Sequence, residues 1–224
     1  ELKQPRYVEK YLPALALDKI KGSGLNAAVF ALHVRNVEPG KYKGAATKDE
    51  LVSLILGAQH ADGSFALTKD LPGDIDMTAM AVCALTASDG GAKTDEAAGR
   101  AMAWLKAQNA ENCESLAQTL LAASLRADRA LEVEAAAQLL LYRRADGGFS
   151  HLQNGESDPI ATEQALLGFA AMNGKTNPFL LEKKPAGGAA LFFIAGGALI
   201  LAGAAVFLAI LLIKRKGRGS VETI

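Results

Sequence analysis

The sequence predicts an all-α protein made of helical-hairpin repeats, followed by one membrane-spanning helix near the C-terminus. Three observations carry the prediction. Over roughly the first 180 positions, apolar residues return at three- and four-residue spacing, the period of a helix with one buried face. Glycine-containing stretches interrupt that pattern at intervals of ordinary helix length. Then comes a block of 28 consecutive uncharged residues, Ala186 to Ile213.

The helical pattern covers roughly residues 4–20, 24–36, 47–60, 74–88, 94–108, 113–126, 129–144 and 159–172. The limits are set by Lys21-Gly-Ser-Gly24, Pro39-Gly40, Asp62-Gly63, Pro72-Gly73, Gly90-Gly91 and Asp146-Gly-Gly148. Glycine and proline end a helix for backbone reasons, whatever the rest of the sequence does. Strand signals are nearly absent, and short turns between alanine- and leucine-rich helices favour antiparallel hairpins.

A repeat underlies the pattern. Gly57-Ala-Gln-His-Ala-Asp-Gly-Ser-Phe65 closes one helix and Leu141-Tyr-Arg-Arg-Ala-Asp-Gly-Gly-Phe149 closes another; Trp104-Leu-Lys-Ala-Gln108 ends a third. Each closing turn precedes a helix beginning near Asp74, Glu114 or Asp158, so the unit is a helix pair of roughly 35 to 50 residues. In the two Asp-Gly turns, glycine supplies the positive φ, aspartate bonds nearby amides, and the phenylalanine folds back on the hairpin. These turns are punctuation rather than catalytic elements.

The uncharged block is long enough to span: at about 1.5 Å per residue it exceeds a hydrocarbon core of roughly 30 Å. Lys214, Arg215, Lys216 and Arg218 follow it, whereas only Lys183 and Lys184 precede it. Cationic flanks stay on the cytoplasmic side, which places the tail inside and the helical domain outside the plasma membrane. The expected organisation is a repeat domain over 1–182, a juxtamembrane linker and transmembrane helix over 183–213, and a basic cytoplasmic tail over 214–224. Gly197 and Gly203 give the span a small-residue face suited to helix pairing. Residue 1 is Glu and no export signal is displayed, so the chain is expected to be processed or part of something longer.

Composition excludes several function classes. Lysine plus arginine equals aspartate plus glutamate at 24 each, which gives no basic surface for nucleic acid. Cys83 and Cys113 belong to no zinc-spaced cluster, and no metal or cofactor is expected. Cys83 reads as a small buried hydrophobe; whether it pairs with Cys113 is open from spacing. His33, His60 and His151 lack ligand spacing and read as surface or loop residues.

On these repeats, and on the ordered stretches Asp74-Ile-Asp-Met-Thr-Ala79, Glu114-Ser-Leu-Ala-Gln118 and Asp158-Pro-Ile-Ala-Thr-Glu-Gln164, the chain resembles the prenyltransferase and squalene-oxidase repeat superfamily, closest to a bacterial membrane-anchored surface branch. The likeness covers roughly residues 24–173. It implies a terpenoid cyclase-like α/α toroid in which inner and outer helices alternate around a cavity. A full ring uses about six hairpins and this chain holds about four, so the toroid is expected to be partial.

Class II cyclases of that superfamily carry an Asp-x-Asp-Asp acid motif. The matching residues here are Asp74, Ile75, Asp76 and Met77, so Asp76 is the candidate acid, Asp74 its neighbour, and the last acidic position is Met. Protonating an alkene needs a strong acid whose conjugate base is stabilised by further polar groups, and Met77 removes one. Aromatic residues to stabilise a carbocation are also few. The zinc set of protein prenyltransferases has no counterpart.

The expectation is therefore a non-catalytic extracellular binding domain, with a cyclase- or prenyltransferase-like enzyme using Asp76 as the alternative. Thr78, Glu114, Gln118, Thr162, Glu163 and Gln164 are the candidate ligand-binding residues, forming a polar mouth where the inner helices begin. Capping is the competing account of acids at helix starts, above all for Asp74 and Asp158. Similarity of the toroid to animal cobalamin carriers suggests a corrinoid, or another small hydrophobic molecule; a surface protein or glycan is the other partner class.

Overall fold

The computed structural model describes residues 15–37, 44–88 and 90–174. All of them fall in the first of two units, Glu1–Leu181 and Glu182–Ile224. The expected spanning segment 186–213, its linker and the basic tail lie outside the described residues. Among the described residues, no helix is long and apolar enough to cross a membrane.

The described fold is all-α apart from one short ribbon. Its helices are α1 (Leu17–Lys21), α2 (Leu25–Val37), α3 (Lys48–Ala58), α4 (Ile75–Thr86), α5 (Ala92–Lys106), α6 (Cys113–Leu125), α7 (Arg129–Leu139) and α8 (Pro159–Gly174). Local chemistry starts most of them. Thr47 forms a capping box with Glu50 ahead of α3, so two otherwise unpaired amides are satisfied reciprocally. Asp74 accepts from the Met77 amide at 2.8 Å, Asn112 from Ser115 at 2.8 Å, and Asp128 from Leu131 at 3.4 Å. Before α8, the Asp158 carboxylate takes the Ile160 and Ala161 amides, each at 2.8 Å.

Packing sorts the helices into two rows. α2, α4, α6 and α8 each pack on the next, while α3 packs on α2, α5 on α4 and α7 on α6. Small residues make the closest contact in the inner row: Ala161, Ala165 and Gly168 of α8 are buried. A Cβ placed on Gly168 would lie 3.0 Å from the Ala117 carbonyl oxygen and 3.2 Å from Leu120 Cδ2. α6 is buried nearly all round and belongs to both apolar clusters. Its Leu121, Ala122 and Ala123 join the cluster built on α2 to α5, and its Leu116, Ala117 and Leu120 join the one containing Tyr142, Phe149 and α8. A helix without a polar face is stable only inside a fold, which is where this one sits.

The closing turns match their sequence reading. Gly63 has φ +94 and Gly147 φ +93. Asp62 accepts from the Ser64 amide and Asp146 from the Gly148 amide, each at 3.0 Å. Phe65 and Phe149 are buried against the helices these turns precede.

Residues 4–14 of the helix expected over 4–20 lie outside the described residues, and the described helix there is Leu17–Lys21. Three details differ from the sequence expectation. The helix expected to reach 144 ends at Leu139 and tightens into a 3₁₀ turn, Leu140–Tyr142. An antiparallel ribbon pairs Phe149 with Asp158 and Ser150 with Ser157, where no strand was expected; two residues a side are too few to show alternation. His33, expected at the surface, is 6% exposed within α2, and burial holds its imidazole down to about 4, because a charged ring would be costly there.

Candidate functional site

α4, α6 and α8 begin side by side because they pack consecutively, and their first turns bring together residues far apart in the chain. The two threonines bond to the turns. The Thr78 hydroxyl, fully buried, accepts from the Phe65 amide at 2.9 Å and donates to the Phe65 carbonyl at 3.2 Å. Thr162 repeats this: its hydroxyl accepts from the Phe149 amide at 2.9 Å, and lies 2.7 Å from the Asp158 carbonyl oxygen and 3.3 Å from that of Phe149. Both side chains clasp a helix to the turn before it. Asp74 and Asp158 are occupied as caps, as the capping account has it.

The remaining candidates divide. Gln118 Nε2 donates to Gln164 Oε1 at 2.5 Å, joining α6 to α8. Glu114 Oε2 lies 2.8 Å from Nδ1 of His151, 37 residues away and exposed. Asp76, partly buried, faces the Ser115 hydroxyl, Asp74, Glu114 and His151. Glu163 stands apart on the exposed side of α8, where it lines a shallow depression with Pro159, Thr162 and Leu166.

Two acceptors in this group are buried and meet no hydrogen-bond donor: Asp76 Oδ1 and Gln118 Oε1. Buried polar atoms are rarely left so, because each costs the desolvation of an unmade bond. Burial pushes the Asp76 carboxyl above the ordinary carboxylate range; Ser115 and His151 pull it back, and the Asp74 and Glu114 charges add to the rise. Asp76 therefore holds its proton to a higher pH than a free aspartate. The His151 imidazole is bonded to Glu114 and acts on Asp76 only through its charge.

Cys83 and Cys113 are free and buried, and burial pushes each thiol up to about 12, so neither is a ready nucleophile. Among the described residues, no group of three or more His, Cys, Asp and Glu side chains is placed to hold a metal ion. A second depression, bordered by Ile75, Lys106, Leu116 and Glu134, encloses about 30 Å³, room for a water and not for an organic ligand.

His151 and Ser115 are the residues that sequence reasoning missed. Ser115 follows the N-cap region of α6 as many helix-start serines do. His151 reaches Glu114 only because the ribbon after the second closing turn folds over the start of α6, where the Cys113 amide donates to the His151 carbonyl at 3.0 Å. Its place two residues beyond Phe149 is the one signal available. No protein-family model matches the chain, and no curated protein matches it.

Proposed function

We propose that the protein is a membrane-anchored extracellular binding domain on a partial α/α toroid, taking a small ligand where α4, α6 and α8 begin. The observation that carries this reading is the pair of donorless buried acceptors, Asp76 Oδ1 and Gln118 Oε1, beside the Glu114–His151 pair. Stability alone gives no reason for two such atoms, and binding sites are where local cost of this kind collects. Their chemistry favours a ligand that brings hydrogen-bond donors on an otherwise apolar body. A corrinoid with peripheral amides fits that description, as does a hydroxylated lipid. Thr78 and Thr162 support the site by fixing helix positions, and Glu163 lies outside it.

The anchor in this proposal is the uncharged run 186–213, with Lys214, Arg215, Lys216 and Arg218 holding the tail in the cytoplasm. The test uses the full chain in detergent and follows its melting with cobalamin, with a lipid extract, or with neither. A ligand of the native state raises the midpoint in proportion to the logarithm of its concentration. The reading requires that rise, and requires Asp76→Asn or Gln118→Leu to reduce it. No shift with either ligand class leaves surface protein or glycan recognition in its place.

One observation favours the alternative, a cyclase-like enzyme: a carboxyl whose proton affinity is raised by burial is what a general acid needs. Against it stands Met77 at the position of the third acid. Turnover of a squalene-like polyene that disappears in Asp76→Asn, with melting retained, is the result that reading demands.

A further inference from the structure

The inner row repeats in register, and its last member breaks the pattern in one respect. Aligned by their first residues, α2, α4, α6 and α8 carry Leu32, Val82, Leu120 and Leu166 at the eighth position. The first three are 0% exposed, whereas Leu166 is 58% exposed. The fifth positions agree: Val29, Ala79 and Ala117 are buried, and Glu163 is exposed. Leu120 shows what this side of an inner helix does, since it packs on the next inner helix at Gly168. α8 thus presents a helix-packing face with no described helix on it.

The occupant is constrained. Only residues 175–185 separate α8 from the uncharged run, too few for another helix pair of roughly 35 to 50 residues. At the other end of the row α1 packs on α2 but leaves Phe30 and Val34 exposed, so a head-to-tail copy is the competing occupant, one that would leave Leu166→Cys without a link to itself. A second copy also offers its own α8. The exposed stripe runs Pro159, Glu163, Leu166, Ala170 and Asn173, in alternating steps of four and three. That is the spacing of a two-helix seam. The stripe is also nearly self-complementary when reversed: with Leu166 against Leu166 of a second copy, Glu163 falls opposite Ala170, and the Asn173 amide lies one turn further on as a donor for the carboxylate. No like charges meet.

We propose that α8 is the surface through which two copies of this chain pair, antiparallel about Leu166. The contact is isologous, the commonest symmetry for self-association. A single pair of helices of this length covers less than the roughly 1,200 Å² of a standard interface, so the association is weak and reversible. The inference is independent of the ligand reading and involves none of its residues.

Cysteine cross-linking of the full chain, expressed in membranes, tests it. The native thiols of Cys83 and Cys113 are buried and contribute no background. Leu166→Cys should form disulfide-linked dimers at least ~10-fold faster than Ala137→Cys, an exposed position on α7, because only apposed Cβ atoms reach bonding distance. Co-expressed Glu163→Cys and Ala170→Cys chains should cross-link to each other and not to themselves. Adding Leu166→Glu to both should abolish that link while leaving melting unchanged, since Leu166 is exposed in the single chain. Rates at 166 no higher than at 137, Glu163→Cys linking to itself, links that survive Leu166→Glu, or adducts with other proteins in place of dimers would each overturn the proposal.

Discussion

Thr78 and Phe65 are joined by two hydrogen bonds, amide to hydroxyl at 2.9 Å and hydroxyl to carbonyl at 3.2 Å, and Thr162 joins Phe149 in the same way thirteen residues on from its turn. One hydroxyl satisfies both polar groups of a residue whose side chain is in the core. Thr78→Val keeps the shape and removes the bonds, which leaves the buried Phe65 amide unpaired, while the Phe65 carbonyl still accepts from the Asp74 amide at 2.8 Å. The expected loss is about 1–3 kcal/mol by denaturant unfolding. Thr162→Val should cost less, because its site is only partly buried.

The two closing glycines should respond unequally to alanine. Both have positive φ, but a Cβ on Gly63 would sit 2.7 Å from the Arg100 carbonyl oxygen, while one on Gly147 meets nothing within 4 Å. Gly147→Ala is expected to cost about 1 kcal/mol from backbone strain alone. Gly63→Ala adds a clash with backbone and should approach 3 kcal/mol. Equal effects in paired unfolding curves would contradict the geometry.

Stability should fall on mild acidification through His33. Its imidazole titrates near 6.5 when unfolded and is held down to about 4 in the fold. Above pH 6.5 both states are neutral and stability is complete. Between about 6.5 and about 4 the unfolded chain takes up the proton and the native one does not, so stability declines, by on the order of 3 kcal/mol at most. Urea midpoints measured across that window should flatten in His33→Leu.

Asp76 has the opposite sign. Its carboxyl titrates higher in the fold than out of it, so its ionisation weakens the native state as pH rises through the folded value. Asp76→Asn is expected to raise the melting temperature at neutral pH, with the advantage vanishing in acid where the wild-type carboxyl is already neutral. A variant equally affected at both pH values would remove the burial account.

The thiols supply a simple readout of packing. Cys83 and Cys113 should resist a thiol reagent at pH 7 in the native protein and react together on unfolding. Reductant should leave the melting curve unchanged.

How far the sequence foretold this architecture depends on the range of the interactions. Helix starts at Lys48, Ile75, Cys113, Arg129 and Pro159 were legible because each is set by a side chain within three residues, such as Asp74 on the Met77 amide. The Asp-Gly turns were legible for the same reason. The meeting of Glu114 with His151 was not, since it depends on how a ribbon of two residues a side lies over another helix. Nor was the role of Thr78 and Thr162: their polarity marked them as candidates for a ligand, and only the folded backbone shows that Phe65 and Phe149 already occupy their hydroxyls. His33 was misplaced because a single histidine carries no label for which face of α2 it is on.

The clasping of α4 and α8 to the turns ahead of them has a kinetic corollary. The two clasps close within a short span of chain, and the inner row is packed most closely at α6–α8 and least at α2–α4, so protection of amides against deuterium should decline stepwise from α6 through α4 to α2. The α2 end would then unzip many times over the life of a molecule whose middle stays shut.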